Sequence, residues 1–128
     1  MTELPLWGRG VVVVGGSRGI GAAVSAKLAA CGAGVIVNGR DADAVEATVD
    51  AITGSGGTAL AHPGSAADES VADQLIALCD SEFGRIDALV NCAGTAEPPG
   101  SSILNVTTTQ FRDLIDVPVD RSLVHRVD

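Results

Sequence analysis

Hydrophobic positions along this chain alternate between short unbroken runs and spaced repeats. Val11-Val12-Val13-Val14 is wholly apolar, as a strand buried on both faces is. Beyond a glycine-rich stretch, Ile20, Val24, Leu28 and Cys31 recur at intervals of four, four and three, which predicts one face of a helix. Gly32 closes that helix as a C-cap. Val35-Ile36-Val37 predicts a second strand, ending at Asn38-Gly39-Arg40. Asp41 is placed to cap a second helix with inner face Val45, Val49 and Ile52, broken by Gly54-Ser55-Gly56-Gly57.

The alternation continues downstream. Thr58–His62 predicts a third strand, stopped by Pro63-Gly64, and Val71, Leu75, Leu78 and Cys79 mark a third helix ended by Gly84. Ile86–Val90 predicts a fourth strand, leading into Asn91-Cys92-Ala93-Gly94. The segment Thr95–Ser102 carries Pro98-Pro99-Gly100 and is expected to be irregular. Thr107-Thr108-Thr109-Gln110 fits a capping box before Phe111, Leu114 and Ile115 on one side of a fourth helix. Strand alternating with helix predicts an α/β fold, a parallel sheet with helices on its faces. Right-handed crossovers then predict strand order 3-2-1-4, a truncated form of the Rossmann-like doubly wound sheet.

Composition narrows the partners. At 128 residues with 46% hydrophobic content, one Trp, two Phe and no Tyr, a core must come from Val, Ile, Leu and Ala. The formal net charge of −8, without a basic cluster, argues against a nucleic-acid partner. The aliphatic runs are far too short to span a membrane. Met1-Thr2-Glu3-Leu4-Pro5 lacks the layout of a signal peptide, so a cytoplasmic location is expected. Cys31, Cys79 and Cys92 form no metal-ligand spacing and are expected to be reduced, buried small hydrophobes.

The candidate chemistry lies between the first strand and the first helix. Gly15, Gly19 and Gly21 allow a sharp turn there and leave the backbone accessible to a diphosphate. Free N–H groups at the helix N-terminus suit its negative charge. No Gly-Lys-Ser/Thr follows, which excludes a P-loop. An acidic residue at the end of the second strand would bind ribose hydroxyls, but Asn38-Gly39-Arg40 stands there. Arg40, with Arg18 from the glycine loop, suits a 2′-phosphate, so NADP(H) is favoured over NAD(H) as cofactor.

Gly15-Gly16-Ser17-Arg18-Gly19-Ile20-Gly21 resembles the TGxxxGxG loop of the short-chain dehydrogenase/reductase family. Phe83-Gly84-Arg85-Ile86-Asp87-Ala88-Leu89-Val90-Asn91-Cys92-Ala93-Gly94 resembles that family's FGRIDxLVNNAG segment. The resemblance extends to about residue 117, so residues 1–117 are expected to be the NAD(P)-binding half and residues 118–128 a divergent tail. It implies that Gly15, Gly19 and Gly21 hold the pyrophosphate and Arg18 and Arg40 the 2′-phosphate, with Ser17, Ile20, Asn38 and Ser65 also among the cofactor-binding residues. It further implies that Asn91 braces the central strand and that Ala93-Gly94 pass beside the nicotinamide ribose. Three departures stand out. Val14 replaces a threonine, Cys92 replaces an asparagine, and Ser65-Ala66 stands where the family commonly has Asp and an aliphatic residue, which weakens or removes the contact to adenine.

The family transfers hydride between a carbonyl and an alcohol, with a tyrosine as acid or base helped by a lysine, a serine and an asparagine. Its proton donor needs a nearby cation to lower its pKa. No Tyr occurs here, the sole Lys is Lys27 on the first helix, and Pro118 follows Asp116-Val117 where the family's asparagine is expected. Pro118 also cuts the fourth helix. No catalytic residue is therefore assigned, and a truncated or frameshifted product is one explanation of the tail. His125 reads as a tail residue and His62 as a strand-end residue. The expectation is an oxidoreductase by resemblance, catalytically incomplete in these residues. The alternatives are a non-catalytic NADP(H)-binding module and an inactive product. An uncovered fourth strand also leads us to expect self-association.

Overall fold

The computed structural model describes residues 4–92. The expected Thr95–Ser102 loop, the fourth helix, Pro118, the tail, Ala93 and Gly94 lie outside the described residues. Element order is β1 (Gly10–Val14), α1 (Gly19–Ala30), β2 (Gly34–Val37), α2 (Ala42–Gly54), β3 (Thr58–Ala61), α3 (Glu69–Phe83) and β4 (Ala88–Asn91). The four strands form one sheet in the order β3-β2-β1-β4, every pair parallel, which is the Rossmann-like order expected from the alternation.

The central strands explain why the apolar runs lack alternation. Every residue of β1 and of β2 is buried, because helices cover both faces of the sheet. On one face Val11, Val13, Val35 and Val37 pack with Ala29 of α1 and with Val45, Val49 and Ile52 of α2. On the other, Val12, Val14 and Ile36 pack against Ala72, Leu75 and Cys79 of α3.

Caps fix the helix ends. Asp41 caps α2, accepting from the N–H groups of Asp43 and Ala44, and Asp68 caps α3 by accepting from Ser70. Past α1, the N–H of Gly32 donates to Ala29 and that of Ala33 to Leu28, with Gly32 at φ 101°. That is a Schellman turn, with Cys31 as the cap residue and Gly32 just beyond it.

Three expectations need correction. First, the buried line of α1 is Gly21, Ser25 and Ala29, whereas Ile20 is 80% exposed and Val24, Leu28 and Cys31 are only half-buried. Small side chains let α1 approach the sheet and the glycine loop closely, and hydrophobic periodicity does not register them. Second, β4 begins at Ala88 rather than Ile86, because Asp87 is taken up by an ionic junction with the start of β1. Third, only Cys79 of the three cysteines is fully buried, while Cys31 and Cys92 are half-buried.

Candidate functional site

The strand-to-helix turn after β1 runs from Gly15 to Arg18, and helix α1 already starts at Gly19. Gly15 and Gly19 both have positive φ, 70° and 52°. Gly21, in the first turn of α1, packs directly onto the backbone of Gly15 and Gly16. Beside Gly19 the space is open, with no atom within 4 Å of where a β-carbon would stand. The turn is anchored from behind. The buried Ser25 hydroxyl donates to the Gly16 carbonyl at 3.2 Å, and Thr48 Oγ1 donates to the Ser17 carbonyl at 3.0 Å. The Gly16 N–H donates to the Asn38 carbonyl at 2.8 Å, which ties the turn to the end of β2.

The N-terminus of α1 differs from those of α2 and α3. Arg18 occupies its N-cap position without a side-chain capping bond, and no acidic residue lies in its first turn. Both other helices have an Asp cap and an acid in the first turn, Asp43 or Glu69. The partial positive charge at the start of α1 is thus left for an outside anion. This arrangement fits a diphosphate: an uncapped helix end, an open approach at Gly19 and a rigid turn beneath it. Exposed Ile20 adds an apolar surface at the same corner.

Around this corner the other expected residues divide into two groups. Arg18 donates to the Asp41 carboxylate, bringing the glycine loop to the turn that carries Arg40. Arg40 is exposed and forms no ion pair among the described residues. The Ser17 hydroxyl lies against Gly39, where a β-carbon would come within 2.4 Å of Ser17 Oγ. Asn38, by contrast, is 1% exposed, and its amide donates to the carbonyls of His62 and Gly64 at 3.0 and 3.1 Å. Its side chain braces the turn after β3. Ser65, half-buried in that turn, accepts from the Ala67 N–H at 3.3 Å. Asn91 ends β4 in register with Val14, so it stands next to the turn at the same end of the sheet. His62 is spent on a 2.9 Å contact between Nε2 and Gln74 Oε1.

No group of side chains suited to a metal ion occurs among the described residues. Nor is any helix among them long and apolar enough to cross a membrane. Burial, with the charges of Asp87 and Asp80 adding to it, pushes the Cys79 thiol up to about 11, so it is not a nucleophile at neutral pH. An open groove between α1 and α2, lined by Ser17, Ala22, Ala26, Ala44, Ala47 and Thr48 among others, carries no ionisable side chain. Sequence reasoning missed the Arg18–Asp41 pair and the Ser25 anchor. Ser25 had one signal, a polar residue four positions after Gly21 on the glycine side of the helix.

Relatives share this architecture. The chain is 40% identical over 115 residues to an uncharacterized oxidoreductase of Methylorubrum extorquens, a match covering 89% of this chain and 46% of that protein. A short-chain dehydrogenase/reductase of Serratia marcescens superposes with a TM-score of 0.78 at 34% identity, covering 96% of this chain and 49% of the other. A metagenomic short-chain oxidoreductase in complex with NADP superposes with a TM-score of 0.74 at 31% identity, covering 95% of this chain and 54% of the other. The chain therefore spans about half the length of these proteins. The family model for short chain dehydrogenases matches residues 9–124, nearly the whole sequence, and the chain belongs to that family.

Proposed function

We propose that the corner formed by the glycine turn, the start of α1 and the end of β2 binds NADP(H), and that the chain is the cofactor-binding half of a carbonyl/alcohol oxidoreductase. The observation that carries this reading is the uncapped N-terminus of α1 beside the open space at Gly19. Gly15, Ser17, Gly19, Ile20 and Gly21 take the pyrophosphate end, while Arg18 and Arg40 take the 2′-phosphate. Asn38 and Ser65 shape the adenine side through the turn after β3, and Asn91 takes the nicotinamide side, the role that the family resemblance also gives to Ala93 and Gly94 beyond the described residues. When bound, the cofactor supplies hydride transfer to or from a carbonyl carbon. The residues of this chain bind and orient it. The similarity to a protein solved with NADP supports the phosphorylated cofactor.

These 128 residues contain no tyrosine, and Lys27 sits exposed on α1. The reading therefore assigns no turnover to them alone, since loss of a positioned acid/base removes about 10²–10⁴ of rate. A second reading, a non-catalytic NADP(H)-binding module, uses the same corner and the same cofactor. Free thiols support a reducing, cytoplasmic setting. Among the described residues β4 has a strand on one side only, which supports self-association of the 128-residue chain.

Thermal unfolding with and without NADPH tests the reading, because a ligand that binds only the folded state raises its melting temperature. The expected result is a rise that grows with NADPH concentration. A melting temperature indifferent to NADPH contradicts it. Both readings expect no NADPH oxidation with ketones from the 128 residues, and ordinary enzymatic turnover by them contradicts both.

A further inference from the structure

We propose that Asp41 sets how strongly this site prefers a 2′-phosphorylated cofactor, by pairing with the Arg18 guanidinium that the 2′-phosphate must share. The inference rests on the NADP(H) reading above and deepens it. Asp41 serves two partners at once. Its Oδ1 caps α2, accepting from the N–H of Asp43 at 3.0 Å and of Ala44 at 3.3 Å, while its Oδ2 accepts from Arg18 Nη2. The next residue back is Arg40, and Asp43 stands in the first turn of α2. The corner thus holds two arginines and two aspartates, and only one aspartate is bonded to an arginine.

Asp41 has two opposed effects on a phosphate ligand. It holds Arg18 near Arg40, which helps, and it places a negative charge on the same guanidinium, which hinders. The hindrance is the larger. Arg18 and Asp41 have side chains 72% and 48% exposed and meet through a single guanidinium nitrogen, so the pair fixes Arg18 only weakly. A 2′-phosphate, with a charge of about −1.5 to −2, must approach the nitrogen that Asp41 already occupies. An NAD(H) ribose carries no such charge there, so the carboxylate does not repel it. Asp41 therefore moderates the selectivity that Arg18 and Arg40 create.

The test is calorimetric titration of the 128-residue chain and its Asp41→Asn and Asp43→Asn variants with NADPH and NADH. Asn caps a helix as well as Asp, so Asp41→Asn keeps α2 capped while removing the charge. Asp41→Ser, which also caps without charge, repeats the test should the first variant fold poorly. The expected result is a rise of about threefold or more in the NADPH-to-NADH affinity ratio for Asp41→Asn, and a clearly smaller change for Asp43→Asn. An unchanged or lower ratio in Asp41→Asn overturns the inference. So does an equal rise in Asp43→Asn, which assigns the effect to net charge rather than to the pair. If the unmodified chain binds neither cofactor, the NADP(H) reading falls as well. Binding by the unmodified chain with an unresponsive Asp41 overturns the Asp41 role alone.

Discussion

Gly21 lies so close to Gly15 that a β-carbon on Gly21 would stand 1.8 Å from the Gly15 carbonyl oxygen. Backbone touches backbone at this point, so no rotamer change relieves the clash. Gly21→Ala is expected to push the turn away from α1, costing about 1–3 kcal/mol of stability and disturbing the diphosphate corner. Urea unfolding and NADPH titration check both effects. Gly19→Ala meets no atom, but its φ of 52° costs a β-carbon about 1–2 kcal/mol. A Gly21→Ala variant as stable as the parent contradicts the packing described.

Asn38 holds the turn after β3 through two hydrogen bonds from a fully buried amide. Asn38→Ala leaves the carbonyls of His62 and Gly64 without that donor, an expected loss of about 1–3 kcal/mol. Denaturant unfolding measures it, and an unchanged midpoint assigns the bracing elsewhere.

Acid is expected to loosen the junction of β1 and β4. Arg85 hydrogen-bonds the Asp87 carboxylate, the Gly10 N–H and Arg9 add to it, and together they outweigh burial and hold its pKa at about 2, below the ordinary 3.8. A carboxyl depressed in the folded state gives stability that is complete above its unfolded value. That stability is lost as pH falls from about 4 towards 2. Asp87→Asn should therefore weaken the chain near neutrality and flatten this part of its acid limb. Asp68, held low by its hydrogen bonds to Ser70, titrates in the same direction in both proteins, so the difference isolates Asp87. Parallel acid limbs in the two proteins contradict the junction's role.

The three thiols should differ in reactivity. Cys79 is fully buried with its pKa pushed up to about 11, whereas Cys31 and Cys92 are half-buried. Thiol titration of the folded protein at mild alkaline pH should leave Cys79 unmodified until denaturant is added. Modification of Cys79 at the pace of the other two contradicts its place on the buried face of α3.

Strands and caps were the most legible features because their signals are local. Val11–Val14 declares a doubly covered strand, and Asp41 declares a cap, within a few residues of sequence. The right-handed crossover rule then carries those local signals to the strand order. Features that depend on contact across the fold were harder to read. Ile20, Val24, Leu28 and Cys31 look like an inner face by periodicity, but close backbone packing gives that place to Gly21, Ser25 and Ala29. The start of β4 depends on Arg9 and Gly10, distant in sequence from Asp87. Position marks Arg18 as a candidate for a 2′-phosphate, but its pairing with Asp41, 23 residues on, is not legible, since Asp41 declares only a cap.

In the proposed NADP(H) site, Arg40 and Arg18 direct the glycine-turn corner toward a 2′-phosphate. Titrating the unmodified 128-residue chain and its Arg40→Ala variant with NADPH and with NADH tests it most directly. A charge-assisted contact to phosphate contributes about 1.5–3 kcal/mol, so Arg40→Ala should weaken NADPH binding by about tenfold or more and leave NADH binding nearly unchanged. Equal affinity of the unmodified chain for the two cofactors, or equal losses for both in Arg40→Ala, contradicts the account.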